Sequence, residues 1–534
     1  MSKLKNIILL ILSLSFASSI SNAQTANSSF LDGVFFAPKG TTVVLQKDGK
    51  DDLSLTAPTT GTADFSNLSF KFPKQYANGT PYTLAIKSAP AAQTCRVEKG
   101  NRGTIGSSPG FVRIGCDYTY ELLSRSTDNV KFGTFYESSA PVIGGDFAEE
   151  GRYVAFVSSA VGLGGSLGKK RQIIWRDRNS GITKLVSVGM NGAEGNGDSF
   201  SPSISSDGQS VAFESYAINL VPIDTNAVRD IFVWNARTNI VTAVSTGAGE
   251  TETNSESFDP VISGDGNLIA FSSGASNLAP GVDGISTINV YLKRVNSGQS
   301  PVLITVDPKT KKGVGGSNPS ISNDGSKVAF YSFASTLVPN DKNNLWDIFL
   351  YDSGNPRLKR LSLTSSGTER DQGTESASRV VAPSISGDGN FVAFATTATN
   401  MVSGDTNKTQ DVFVVNTFSG EVKRISIGKE GIEGIGGDSP AGQGEKIGIS
   451  YNGSLIAFST AATNLGGNII LKDITSGENR VISTGDGRGV GRPSISRNGG
   501  YVVFGAGSRL DSRYQSSGIF ARFTGITRCR FCSQ

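Results

Sequence analysis

One run of residues returns along this chain so regularly that it decides what the chain can fold into. It reads Ser201-Pro202-Ser203-Ile204-Ser205-Ser206-Asp207-Gly208-Gln209-Ser210-Val211-Ala212-Phe213. Close copies are DPVISGDGNLIAF from Asp259, NPSISNDGSKVAF from Asn318 and APSISGDGNFVAF from Ala382. Weaker copies are APVIGGDFAEEGRYVAF from Ala140, IGISYNGSLIAF from Ile447 and RPSISRNGGYVVF from Arg492. The seven copies end on Phe156, Phe213, Phe271, Phe330, Phe394, Phe458 and Phe504, at spacings of 57, 58, 59, 64, 64 and 46 residues. A unit repeated at that period is a supersecondary module that buries its apolar face against its neighbours.

Each copy reads as four short strands. Pro-Ser-Ile-Ser alternates apolar and polar, as a half-buried strand does. An Asp-Gly or Asn-Gly pair then supplies the positive φ of a tight hairpin turn. Val-Ala-Phe opens a second strand, almost continuously apolar and therefore covered on both faces. A third begins at Asp230-Ile231-Phe232-Val233, Asp347-Ile348-Phe349-Leu350 and Asp411-Val412-Phe413-Val414. A fourth ends in Lys184-Leu185-Val186-Ser187, Lys359-Arg360-Leu361-Ser362 and Lys423-Arg424-Ile425-Ser426. No window beyond the first residues carries a 3.6-residue period, so the expected class is all-β. Four strands per unit, repeated radially, predict a seven-bladed β-propeller.

The P-S-I-S-x-D-G-x-x-V-A-F run resembles the WD-like repeat of TolB-type propellers, over about 400 residues from Tyr120 onward. That resemblance implies a fold and says little about function. TolB has six blades behind an α/β domain, whereas this chain has seven copies behind an all-β segment, so the kinship is one of repeat. The propeller is placed at 118–526, followed by a cysteine-containing tail at 527–534. Little chain follows the seventh copy's third strand at Gly518-Ile519-Phe520-Ala521. The expected closing strand of the last blade is therefore the early segment at about 120–124, leaving no open edge. Thr527 to Phe531 competes for that place.

Lys3 and Lys5, the apolar run Ile7 to Phe16, and Ser21-Asn22-Ala23 have the layout of a secretory signal peptide cleaved after Ala23. Residues 1–23 are thus read as a leader and the mature chain as exported, periplasmic or secreted, with no transmembrane segment. Residues 24–117 differ in composition, with strands suggested at Thr42 to Gln46, Leu53 to Leu55, Leu68 to Phe72, Tyr82 to Ile86 and Val112 to Ile114. VVLQKDGKDDLSL, YANGTPYTLAI, QTCRV and FVRIGC together resemble an immunoglobulin-like β-sandwich of exported bacterial proteins. In an oxidising compartment Cys95 and Cys116 are expected to pair. Cys529 and Cys532 at the chain's end admit a tail disulfide, an intermolecular bridge or a redox pair.

The chain contains no histidine. That removes Ser-His-Asp and Cys-His catalysis, histidine bases and histidine-ligated metals. Without Lys3 and Lys5, 48 basic residues face 46 acidic ones, too even a balance for a nucleic-acid partner. Gly164-Gly165-Ser166-Leu167-Gly168 fits G-x-S-x-G in letters but has no histidine to serve it.

One recurrence carries possible chemistry. Asp224, Asn226 and Asp230, Asp341, Asn343 and Asp347, and Asp405, Asn407 and Asp411 repeat D-x-N-x-x-x-D between strands two and three. Oxygens at alternate loop positions suit calcium, but Asp and Asn also cap turns with their own side chains. Both readings stay open, and no other cofactor is expected. Blade three weakens the pattern to Asp283 with Asn289. Acids such as Glu250, Glu252, Glu256, Glu430 and Glu433 fit solvated loops. The long connections Gly367 to Val381 and Gly428 to Glu445 leave one rim, where loops commonly bind.

The expectation is a non-enzymatic envelope protein whose propeller binds another envelope or extracellular protein. A carbohydrate- or matrix-binding protein is the alternative, with Trp234 and Trp346 as candidate rim aromatics. A histidine-free hydrolase or lyase using carboxylates is the third.

Overall fold

The computed structural model describes residues 28–38, 40–59, 65–90, 93–106, 112–118, 120–125, 138–146, 151–280, 282, 287–371, 381–440, 445–483, 491–506 and 518–524. The leader, Asp283, the 527–531 segment and Cys529 and Cys532 lie outside them. The described chain is all-β, with only short 3-10 turns beside its strands.

From Ser138 on, six four-stranded antiparallel sheets follow one another in chain order. Sheet one is Ser138–Gly144, Tyr153–Ser158, Gln172–Asp177 and Thr183–Leu185. Sheet two is Ser199–Ile204, Ser210–Ser215, Asp230–Asn235 and Ile240–Ala243. Sheet three is Ser257–Ile262, Leu268–Ser273, Asn289–Arg294 and Val302–Leu303. Sheet four is Ser317–Ile321, Lys327–Ser332, Asp347–Asp352 and Asn355–Arg360. Sheet five is Ser384–Ile385, Phe391–Thr396, Asp411–Asn416 and Val422–Arg424. Sheet six is Gly448–Ile449, Leu455–Ser459, Ile469–Asp473 and Asn479–Ser483. A seventh holds Gly491–Ile495, Tyr501–Ala506 and Gly518–Phe523, and its fourth strand is Glu121–Leu122, pairing Glu121 with Ala521 and Leu122 with Phe520.

The repeat residues explain why the same sheet forms each time. In sheets two, three, four, five and seven the last phenylalanine of the motif lies opposite an aromatic residue of strand three and the rings stack, whereas Phe156 and Phe458 lie opposite Ile174 and Ile470. Phe213 and Phe232 have centroids 5.8 Å apart, Phe330 and Phe349 5.8 Å, and Phe394 and Phe413 5.9 Å. Such a cross-strand pair adds about 0.5–1.5 kcal/mol beyond its burial. In the hairpin turn Ser205 Oγ donates to Asp207 Oδ1 at 2.7 Å, and the same oxygen accepts from the Gln209 amide. Ser263 with Asp265, Ser322 with Asp324 and Ser386 with Asp388 do likewise. Gly208 takes φ 68°, and its carbonyl accepts from Trp175 Nε1 of sheet one at 2.8 Å.

Backbone bonds between these turns stitch neighbouring sheets together. Ser206 N donates to Gly264 O, Gly264 N to Asn323 O, and Asn323 N to Gly387 O, at 2.9, 2.7 and 2.8 Å. They surround a cavity of about 180 Å³ to which every sheet gives one isoleucine, from Ile143 to Ile495. Sheet one meets sheet seven as well, since Ile143 N donates to Ser494 Oγ at 3.3 Å. The arrangement is propeller-like.

Strand four is shorter than its sequence signature. It ends at Leu185, Arg360 and Arg424. The following serine leaves the ladder and accepts a strand-three amide on its hydroxyl: Ser187 from Ile173, Ser362 from Ile348, Ser426 from Val412.

Before the sheets, Phe65–Lys71, Asp32–Pro38, Val112–Tyr118 and Gln93–Lys99 form one four-stranded sheet. Asp51–Thr56, Thr42–Lys47, Pro81–Ser88 and Arg102–Thr104 form another, and Ser28–Ser29 pairs with Tyr76–Ala77. Phe35, Val43, Leu45, Phe70, Phe72 and Val112 belong to one apolar cluster between them. Cys95 and Cys116 sit opposite each other on adjacent strands and are disulfide-bonded.

Candidate functional site

Antiparallel strands alternate direction, so the loop joining strands two and three leaves a sheet at the same end as the connection from strand four to the next sheet. Both loop sets therefore meet on one rim. They are fastened there by a repeated bond from a strand-two-to-three loop to the connection arriving from the preceding sheet. Asn219 Nδ2 donates to Glu194 O, Asn277 Nδ2 to Glu252 O, Asn400 Nδ2 to Glu369 O and Asn464 Nδ2 to Glu433 O, at 2.7–3.2 Å.

The D-x-N-x-x-x-D loops lie on this rim, and the structure draws both aspartates of each towards a glutamate of the following connection. In sheet four, Arg360 enters that cluster from the end of strand four. Its Nη1 lies 2.7 Å from Asp341 Oδ1 and 3.4 Å from Asp347 Oδ2, and its Nη2 3.1 Å from Glu369 Oε1. Sheet five repeats this with Arg424, 3.0 Å from Asp405, 3.7 Å from Asp411 and 3.2 Å from Glu433. In sheets four and five a guanidinium thus lies among carboxylates for which the sequence left calcium binding and turn capping both open. The asparagines present N–H groups to the second aspartate: Asn226, Asn343 and Asn407 donate to Asp230, Asp347 and Asp411 at 3.1, 3.0 and 3.1 Å. Their own carbonyls accept loop amides, those of Val228, Leu345 and Thr409.

Sheet two keeps the acids and lacks the arginine. Ala243 takes the ladder position opposite Phe232 that Arg360 holds opposite Phe349 and Arg424 opposite Phe413. Asp230 is satisfied by Ser245 Oγ at 2.6 Å and Thr253 Oγ1 at 2.8 Å. Glu252 accepts the amide and hydroxyl of Thr225. Asp224 Oδ1, the counterpart of the oxygen bridged by arginine in sheets four and five, is buried with no hydrogen-bond partner. A cavity of about 410 Å³ opens onto Asp224, Asp230 and Glu252, walled by Val221, Ile223 and Phe232. Burial first, then Asp230 and Glu252, lift the Asp224 carboxyl to about 6. Burial and Asp411 lift Asp405 to about 6 as well, there against the opposing pull of Arg424.

Other sequence candidates take different places. Ser166, at the end of a 3-10 turn, donates to Glu194 Oε1 at 2.7 Å and serves as a loop tie. Glu252 and Glu433 anchor neighbouring loops, and Glu256 pairs with Arg229 at 2.9 Å. Trp234 is fully buried and donates its Nε1–H to Asn239. Trp346 packs on the half-exposed Phe333 at 5.7 Å. Among the described residues no group of three or more acid or cysteine side chains is set to hold a metal ion, and no helix is long and apolar enough to cross a membrane.

A further charged belt was not legible in sequence. The residue just before the first strand's proline takes positive φ in five sheets: Ala140, Ser201, Asp259, Asn318 and Arg492, at 48–55°. Each lies in a β-bulge between strands one and two. Desolvation among the surrounding strands raises the half-buried Asp259 carboxyl, against the pull of Lys446, Arg229 and Arg492. Each residue is unremarkable in its own repeat, and only the packing of sequence-distant sheets brings them together.

No protein-family model and no curated protein matches the sequence. Among solved structures, the chain is similar to TolB from Acinetobacter baumannii, at 16% identity over 72% of this chain and 62% of that one, with a TM-score of 0.31. It thus spans less than two thirds of that TolB. It is similar to an oligogalacturonate lyase in complex with manganese, at 10% identity over 84% and 98% with a TM-score of 0.46. The β-propeller domain of the Trilobed protease from Pyrococcus furiosus matches at 15% identity over 74% and 97%, with a TM-score of 0.43.

Proposed function

We propose that this chain is an exported, non-catalytic platform that binds another protein of the envelope or the extracellular space. In this reading the seven sheets are the blades of a seven-bladed β-propeller, completed by Glu121–Leu122. An immunoglobulin-like β-sandwich precedes it, and a leader ending near Ala23 exports it. The supporting observation is the fastening of the rim: four asparagines tie one loop set to the other. Loops fixed in advance lose little conformational freedom on binding, so more of the contact energy appears as affinity. Affinity capture from the producing cell's envelope extract, with residues 24–534 as bait, tests this. One or two proteins retained in moderate salt, and lost when the 428–445 connection is shortened, support it. An eluate without protein overturns it.

A glycan-binding reading has one observation behind it, the pair Phe333 and Trp346, of which Phe333 is 52% exposed on the same rim. Trp234 does not contribute, being wholly buried. Loss of polysaccharide binding in Phe333→Ala tests it.

A further inference from the structure

The strand-four position opposite Phe232 and its counterparts obeys a rule across the sheets. Where strand three opens with aspartate, at Asp347 and Asp411, strand four ends in Arg360 and Arg424. Where the place of that aspartate is taken by Gln172, Asn289, Asn468 or Gly518, the strand-four residue is Leu185, Leu303, Val481 or Leu122. Charge is present on both sides or on neither. Sheet two alone breaks the rule, with Asp230 opposite a strand that ends at Ala243.

We propose that Asp224, Asp230 and Glu252 form a socket for an arginine side chain supplied by a partner polypeptide, taking the place that Arg360 and Arg424 fill from within the chain. This rests on the platform reading and names the chemistry its partner presents. Three observations carry it. The same carboxylates already hold a guanidinium in two sister sheets. The orphaned oxygen, Asp224 Oδ1, corresponds to the one that Arg360 and Arg424 reach. The sister cavity of sheet five, about 560 Å³, has Arg424 in its wall and none of the three acids, whereas the cavity of sheet two opens onto all of them.

The chain's own cations nearby are engaged elsewhere, Arg229 with Glu214 and Glu256. Lys293 Nζ donates to Thr246 O at 2.7 Å, matching the bond from Lys472 Nζ of sheet six to Ile427 O in the connection after sheet five, where Arg424 is present too. A guanidinium fits better than a metal ion because the asparagine turns N–H groups inward, whereas cations such as calcium need oxygens. Its planar fork can also serve separated carboxylates at once. Val221, Ile223 and Phe232 would cover the aliphatic stem.

The test uses the mature chain and a capped Gly-Arg-Gly peptide, followed by calorimetry or NMR titration. Saturable binding at one site is expected, at least about tenfold weaker with citrulline in place of arginine, and lost in Ala243→Arg. Filling the socket in cis should raise the melting temperature, whereas Leu185→Arg, at the neutral equivalent in sheet one, should lower it. Equal destabilisation by both arginines, or peptide binding unchanged in Ala243→Arg, overturns the proposal. So does a calcium-dependent rise in melting temperature that chelator reverses, without peptide binding. An envelope partner captured equally by wild type and Ala243→Arg leaves the platform reading standing and removes the socket from it.

Discussion

Arg178 of sheet one and Glu121 of the strand completing sheet seven form a buried ion pair, 2.6 Å apart, with side chains 5% and 3% exposed. Arg178 also lies over the ring of Tyr501, 4.2 Å from its centroid. The pair therefore links the first sheet to the last through residues 57 apart in sequence. Removing one partner strands a buried charge, which costs about 3–5 kcal/mol. Glu121→Gln should lower the urea midpoint accordingly, and Glu121→Gln with Arg178→Met should recover part of that loss. A Glu121→Gln midpoint equal to wild type would show that this contact does not hold the sheets together.

Arg360 is only 7% exposed in its side chain and serves three carboxylates. Arg360→Met should therefore cost about 3–5 kcal/mol at neutral pH. Arg237→Met, which removes a 3.8 Å contact to Asp207 between exposed side chains, should cost less than about 1 kcal/mol. Parallel urea titrations compare them, and similar losses would contradict the part assigned to Arg360.

Asp224 makes stability depend on pH with a definite sign. Its carboxyl stands at about 6 in the folded chain, above its ordinary 3.8. The folded state then holds the proton more tightly, so this group's contribution is complete below about 4 and is lost as pH rises through 6. Asp224→Asn removes the effect. The variant should gain stability relative to wild type between pH 5 and pH 7.5, and a constant difference would contradict the burial of an unpaired carboxylate there.

Two glycines at nearly the same φ should respond differently to alanine. A Cβ on Gly208, at φ 68°, would stand 2.1 Å from Tyr153, while one on Gly249, at φ 64°, meets open space. Gly249→Ala should cost about 1 kcal/mol for its left-handed backbone. Gly208→Ala should cost at least about 2 kcal/mol more, because the clash is with a neighbouring sheet. Thermal melts of both variants decide this.

Much of the fold was legible because the strong repeats, sheets two to five, state their own local structure: a serine and an aspartate that build the turn, and two aromatics that stack across strands. Phe213 with Phe232 and Ser205 with Asp207 needed no long-range information. The acid clusters were legible as recurrences, but their chemistry was not, because Arg360 stands 19 residues beyond Asp341 and the two meet only through strand pairing. Asp259, Lys446 and Arg492 were invisible for a stronger reason. They interact across sheets three, six and seven, a relation that the packing of distant sheets creates and no local pattern records.

The platform account stands on a rim whose loops are fixed before any partner arrives, and hydrogen exchange of the unliganded chain measures that directly. Thr225 N is bonded to Glu252, Lys342 N to Glu369 and Thr406 N to Glu433, at 2.6, 2.7 and 3.0 Å. These amides should exchange at least about a hundredfold more slowly than in an unstructured peptide. Exchange at the unstructured rate would mean that the loops are not fastened, and would contradict the account.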